Sequence, residues 1–165
     1  VLVPVPLAPL ATSVTGAERD GPRCVTRTGT ADRASCALLA LRADGTIQAS
    51  LVNAGVLPHP SSGEPVLAFV TYGKVKLANL RRNRQLAVTF RNGWQWATVE
   101  GTAELAGPDD RAPWLTDAEQ LRLLRRDVFS AAGGTHDDWD EYDRVMSEQR
   151  RTVVLVKPSR VYSNG

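Results

Sequence analysis

From Cys36 onward the apolar positions of the chain fall into short runs and alternations separated by turn residues. Cys36–Leu41 is an apolar run, and the Asp44-Gly45 pair after it is a hairpin signal. Thr46–Ala54 alternates as a strand does, with Ile47, Ala49, Leu51 and Asn53 on one face and Gln48, Ser50 and Val52 on the other. A loop is expected over Gly55–Glu64, where Pro58, Pro60 and Gly63 fall, and then an apolar strand over Pro65–Thr71. Past Tyr72-Gly73, the spacing of Val75, Leu77 or Ala78, and Leu80 suits a helix over Lys74–Arg82. Leu86–Phe90 returns to strand, and Arg91-Asn92-Gly93 marks a second hairpin. Trp94–Leu105 is a long strand that sets Gln95, Ala97 and Val99 against Trp94, Trp96, Thr98 and Glu100. Thr116-Asp-Ala-Glu119 reads as a capping box opening a helix from Asp117 to Ala132, which Gly133-Gly134 ends. Thr135 is the expected cap of a second helix over Asp137–Gln149. Thr152–Val156 is the last clear strand, followed by Pro158 and Arg160–Tyr162.

Five or six strands joined mainly by hairpins, with helices inserted, predict a mainly β fold with α additions: an antiparallel β-barrel. Repeated strand–helix–strand alternation, the mark of a doubly wound sheet, is absent from the pattern. Residues 1–35 show neither period and carry prolines at 4, 6, 9 and 22. They are expected to form an irregular N-terminal arm, leaving 36–165 as the folded domain. The segment Val1–Leu10 lacks the basic start of a secretory signal and reads as an extended tail.

Composition adds little until charge is mapped by position. The 165 residues are 42% hydrophobic and 23% charged, with a net charge of +2, as in ordinary globular domains. No apolar run reaches the length of about 20 residues that a membrane helix needs. Cys24 and Cys36 have no metal-ligand or redox spacing, and a cytoplasmic, reducing setting is the expectation. Lys74, Lys76, Arg81, Arg82, Arg84 and Arg91 lie between Glu64 and Glu100 with no acid among them. Such a local patch on a near-neutral chain suits a small anionic ligand better than a nucleic acid, which demands a broad basic face and interleaved aromatics. A strand running through Thr71-Tyr72-Gly73 into a short basic helix is a place to hold a phosphate, because backbone N–H groups and lysines converge there.

Catalytic side chains are few. His59 and His136 have no Cys, Asp or Glu at metal-ligand spacing, so neither a metal nor a catalytic residue is expected. Asp109-Asp110 and Asp137-Asp138 suit a turn and a helix start. The chain has no nucleophile elbow, Walker loop or dinucleotide fingerprint. Enzymes so equipped take their chemistry from an organic cofactor. Gln48, Ser50 and Asn53 read either as sheet-surface groups or as partners for the polar edge of a ring. Trp94 and Trp96 read either as packing residues or as a wall beside such a ring.

Leu41–Ser50, Phe69-Val70-Thr71, Lys74–Leu80, Trp94–Leu105 and Arg150–Tyr162 together resemble the pyridoxamine 5'-phosphate oxidase-like split β-barrel family. The likeness spans about 36–162 and is closest to its actinobacterial branch of deazaflavin-dependent oxidoreductases, which use coenzyme F420 in place of FMN. Residues 1–35 depart from the pattern, in which a short amphipathic helix precedes the first strand. The resemblance implies a homodimer with two cofactor sites at the subunit interface. It places the cofactor phosphate near Thr71, Lys74, Lys76 and Asn79, and the ring along Gln48–Asn53. The implied contacts are Gln48, Ser50, Asn53, Val70, Thr71, Lys74, Lys76, Asn79, Leu80 and Trp96. Arg81, Arg82 and Arg84 either meet the cofactor's acidic tail or are solvated helix-end charge. The implied reaction is hydride transfer from reduced deazaflavin to a conjugated small molecule, biliverdin-like or quinone-like. The alternatives are an FMN-dependent oxidase or reductase, and a non-catalytic cofactor carrier.

Overall fold

The computed structural model describes residues 35–164. The expected arm over residues 1–35 and Cys24 therefore lie outside the described residues, save Ser35, which opens the first strand. Six antiparallel strands close into a barrel in the order β1-β2-β3-β6-β5-β4. They are β1 (Ser35–Leu41), β2 (Ile47–Pro58), β3 (Pro65–Thr71), β4 (Gln85–Asn92), β5 (Gln95–Ala106) and β6 (Thr152–Ser163). Three helices complete the chain: α1 (Lys74–Arg82), α2 (Ala118–Ala131) and α3 (Trp139–Glu148).

The period-2 alternation does what the sequence predicts. Leu38, Val52, Phe69, Val88, Val99 and Val154 point into the barrel, and α1 adds Leu80 to the same core. A barrel of this size has an interior that side chains alone can fill. The opposite faces of β3 and β6 are buried as well, by Leu121, Leu124 and Val128 of α2 against Val66, Ala68, Val153 and Leu155. Burial on both faces is why Val66–Val70 and Val153–Val156 are continuous apolar runs rather than alternations.

Two strands outrun their sequence boundaries. β2 continues through Gly55 to Pro58, pairing Gly55 with Ala68 and Pro58 with Pro65, so the loop is only His59–Glu64. Gly55 serves close approach and not a turn: a Cβ there would lie 2.2 Å from the backbone carbon of Ala131. β6 likewise runs past Val156 to Ser163, with Pro158 opposite Gly101 beside a bulge at Ser159 of β6. A bulge is one of the few sheet positions where a residue without an N–H costs no ladder bond.

α1 starts where expected, α2 starts one residue later and α3 two residues later. Asp117 caps α2 by accepting from the Gln120 backbone N–H at 2.8 Å, and the Gln120 side chain accepts from Thr116 N–H at 2.8 Å. The box thus runs through Thr116, Asp117 and Gln120, not through Thr116 and Glu119; Glu119 instead binds Arg122. Asp138, not Thr135, caps α3, accepting from the N–H groups of Asp140 and Glu141. A carboxylate one residue from the first turn reaches those donors, whereas Thr135 lies too far upstream. Asp109 and Asp110 sit in the turn after β5, as expected, bound to Arg150 and Arg81.

Candidate functional site

The junction of β3 and α1 gathers the expected anion-binding groups. Thr71 is buried at the end of β3, and Tyr72 and Gly73 bridge to the helix. Gly73 occupies the cap position with extended backbone, no side chain caps the helix, and its first turn holds no acid. The orphan N–H groups that a Ser or Asp would normally take are left for a ligand. Lys74 is exposed and Lys76 half-buried. Burial pushes the Lys76 ammonium below the usual lysine range. Among the described residues no carboxylate forms an ion pair with either lysine. A third cation arrives from far along the chain: the Arg151 guanidinium stacks 4.3 Å from the centre of the Tyr72 ring. Sequence reasoning missed Arg151, because nothing in its local spacing says that the residue before β6 lies beside Tyr72.

Asn79 ties the helix to β2. It is buried, and its side-chain NH2 donates to the Gln48 carbonyl oxygen at 2.6 Å while its own oxygen accepts from Arg82 at 2.6 Å. Its amide is thus engaged inside the protein on both sides, and what it does is fix the Gln48 side chain. Ser50 shares the Gln48 face and is half-buried. Asn53 lies on the opposite face of β2, as the alternation predicts. With Val70, His136, Tyr142, Met146 and Arg151 it lines a cleft of about 380 Å³ between the barrel and α2–α3.

The remaining expected contacts are placed elsewhere. Leu80 is fully buried in the barrel core. Trp96 is half-buried and packs edge-on to Tyr162, with ring centres 6.1 Å apart. Trp94 falls in the hairpin turn and is 84% exposed, so it is not a core residue. Register sets Trp96 apart from the α1 junction: Ala106 pairs with Val153 and Val153 with Val70. Trp96 stands ten residues back along β5 from that point, roughly 30 Å at the usual rise per residue. One chain therefore does not bring Trp96 to Val70. Of the arginines after Leu80, Arg81 makes a two-pronged pair with Asp110 and Arg82 holds Asn79. Both are engaged by the protein itself.

His59 has a partner that the sequence does not reveal. Its Nδ1 accepts from the Ser61 and Ser62 N–H groups at 3.1 and 3.3 Å, which fixes the neutral tautomer that donates from Nε2 to Glu104 at 3.0 Å. The Trp114 indole donates to the other Glu104 oxygen at 2.6 Å. All three side chains hold the β2–β3 loop and the 107–118 segment to β5. No cluster of His, Cys, Asp and Glu suited to a metal occurs among the described residues, and none of their helices is long and apolar enough to cross a membrane.

No protein-family model matches the chain. Solved structures do resemble it. One is a conserved hypothetical protein of Mycobacterium tuberculosis, Rv2991, at 19% identity and TM-score 0.57, covering 80% of this chain and 77% of that one. A second is an F420 reductase, at 17% identity and TM-score 0.52, covering 80% and 91%. A third is a pyridoxamine 5'-phosphate oxidase-related FMN-binding protein of Nostoc punctiforme, at 12% identity and TM-score 0.50, covering 79% and 74%. The chain thus has the split-barrel fold of the pyridoxamine 5'-phosphate oxidase-like proteins, mostly β with a closed six-stranded barrel.

Proposed function

We propose that the chain is a cofactor-dependent oxidoreductase of the pyridoxamine 5'-phosphate oxidase-like kind, binding coenzyme F420 ahead of FMN. The observation that carries this reading is the uncapped start of α1, with Lys74 and the half-buried, unpaired Lys76 beside it. A phosphate fits those donors: it takes the free N–H groups and supplies the charge that Lys76 lacks. Arg151, held over Tyr72, adds a third cation to the same junction. Gln48, fixed by Asn79, and Ser50 offer polar groups from the adjoining strand. A bound deazaflavin would supply hydride for a conjugated acceptor, biliverdin-like or quinone-like. The protein's part is to orient and to exclude water, which needs no catalytic acid or base.

The working unit in this reading is a homodimer with a cofactor at the interface. Its support is the outer face of β1, β2 and β4, where Ala37, Leu39, Leu41, Ile47, Ala49, Leu51 and Ala87 form an apolar surface, with Arg91 further along the same face of β4; Leu51 is 77% exposed and Ile47 61%. Uncovered apolar faces of this kind mark association surfaces. A second copy is also what would unite Trp96 with the α1 junction.

Titration of the purified protein with F420, followed by deazaflavin fluorescence, tests the cofactor. Saturable binding is expected, weakened about tenfold in Lys76→Ala, the cost of one charge-assisted contact. FMN binding without F420 binding makes the chain a flavin enzyme. F420 held tightly but discharged by no conjugated acceptor makes it a carrier. Binding of neither overturns the proposal.

A further inference from the structure

A second cleft, of about 540 Å³, lies between the 107–118 segment, α2 and the end of α3, and plays no part in the reading above. Arg111, Thr116, Arg122, Arg125, Ser147 and Arg150 line it over an apolar wall of Leu115 and Leu121. Arg125 is the unusual member. It is 6% exposed, and its Nε and Nη2 both donate to the Arg151 backbone carbonyl. Among the described residues its Nη1 has no hydrogen-bond partner and no carboxylate forms an ion pair with it. Guanidinium stays charged even where burial opposes it, as burial does here. Asp143 acts on it only at a distance, so the contacts of this buried charge come from one carbonyl and leave Nη1 open to the cleft.

The acids of the cleft are taken up by partners other than Arg125. Asp143 is shared by Arg122 and Arg126, Glu119 binds Arg122, and Asp117 caps α2. Arg150 reaches out to Asp109, and Arg111 is exposed with no ion pair among the described residues. Four guanidiniums thus face three carboxylates, with hydroxyls of Thr116 and Ser147 beside them.

We propose that this cleft binds a small anion bearing a carboxylate or phosphate group, with Arg125 as its buried counter-charge and Arg111 and Arg150 at the rim. The site is separate from the α1 junction and does not depend on the cofactor. Calorimetric titration with phosphate, sulfate and citrate at fixed ionic strength tests it, in Lys76→Ala protein, where the α1 junction is weakened, and read as the difference between cleft variants that share this background. Saturable binding is expected, at least about tenfold weaker in Arg125→Met, as for loss of a charged partner. Because that change also releases the Arg151 carbonyl, the double variant Arg111→Ala, Arg150→Ala is the control that leaves the clamp intact; it should weaken binding severalfold. Citrate binding alone identifies a carboxylate ligand, and phosphate with sulfate a tetrahedral one. No saturation by any of the three anions, or equal affinity in all variants, overturns the site. Failure of F420 to bind leaves this result untouched.

Discussion

Tyr142 is 3% exposed, and its hydroxyl donates to the Arg125 carbonyl at 3.0 Å. Burial opposes the phenolate and pushes its pKa from 10.0 up to about 12. The folded-state value is the higher one, so the neutral ring stabilises the fold fully below pH 10. That contribution is lost as pH rises from about 10 to about 12, on the order of 2 kcal/mol. Urea unfolding followed across this window should show the midpoint falling in the wild type and falling less steeply in Tyr142→Phe. Equal slopes would show that the ring titrates as it does in water. Single residues also mark where sequence reasoning ends. Asn79 was expected at a phosphate, and the structure gives its amide to Gln48 and Arg82. A buried amide is drawn to the nearest partners that saturate it, and those partners come from another strand and the next helical turn.

At the scale of elements, α2 rests on β2 and β3, and Gly55 makes the approach possible. Ala131 and Ala132 backbone atoms lie within 2.5 Å of where a Gly55 side chain would begin, and backbone cannot swing aside as a long side chain can. Gly55→Ala should therefore lift the C-terminal end of α2 and cost about 2–3 kcal/mol, read as a lower denaturation midpoint at unchanged barrel content by circular dichroism. A wild-type midpoint would mean the helix yields freely. The type of every element was legible in the chain, because helices and one-sided strands keep their periods while the strands buried on both faces are short apolar runs between turn residues. Boundaries were less so. Gly55 and Pro58 spell a loop by composition, yet the helix packed outside and the pairing with β3 keep them in strand. The cap of α3 was misplaced because Thr135 and Asp138 are both good caps, and only packing chooses between them.

For the whole molecule, the open question is what covers the outer face of β1, β2 and β4. Leu51, on β2 opposite Ala37, has 77% of its surface exposed there. If the protein dimerises through this face as proposed, Leu51→Arg should leave a monomer in sedimentation experiments with the barrel still folded, since the side chain contributes nothing to the interior. A wild-type protein that sediments as a monomer at micromolar concentration would remove the dimer from the proposed function. The lysines and the glycine turn of the candidate site could be found from sequence, being adjacent in the chain. Arg151, Glu104 and Arg125 could not, because their partners lie tens of residues away and meet them only through closure of the barrel.

That closure has a consequence for synthesis on the ribosome. β6, the last described strand, is inserted between β3 and β5, both made long before it. Until Thr152–Ser163 has emerged, each of those strands presents a bare edge, and β3 is apolar on both faces. The nascent barrel is then a sheet awaiting its keystone, and its native pairing can be completed only after nearly the whole described chain has left the exit tunnel.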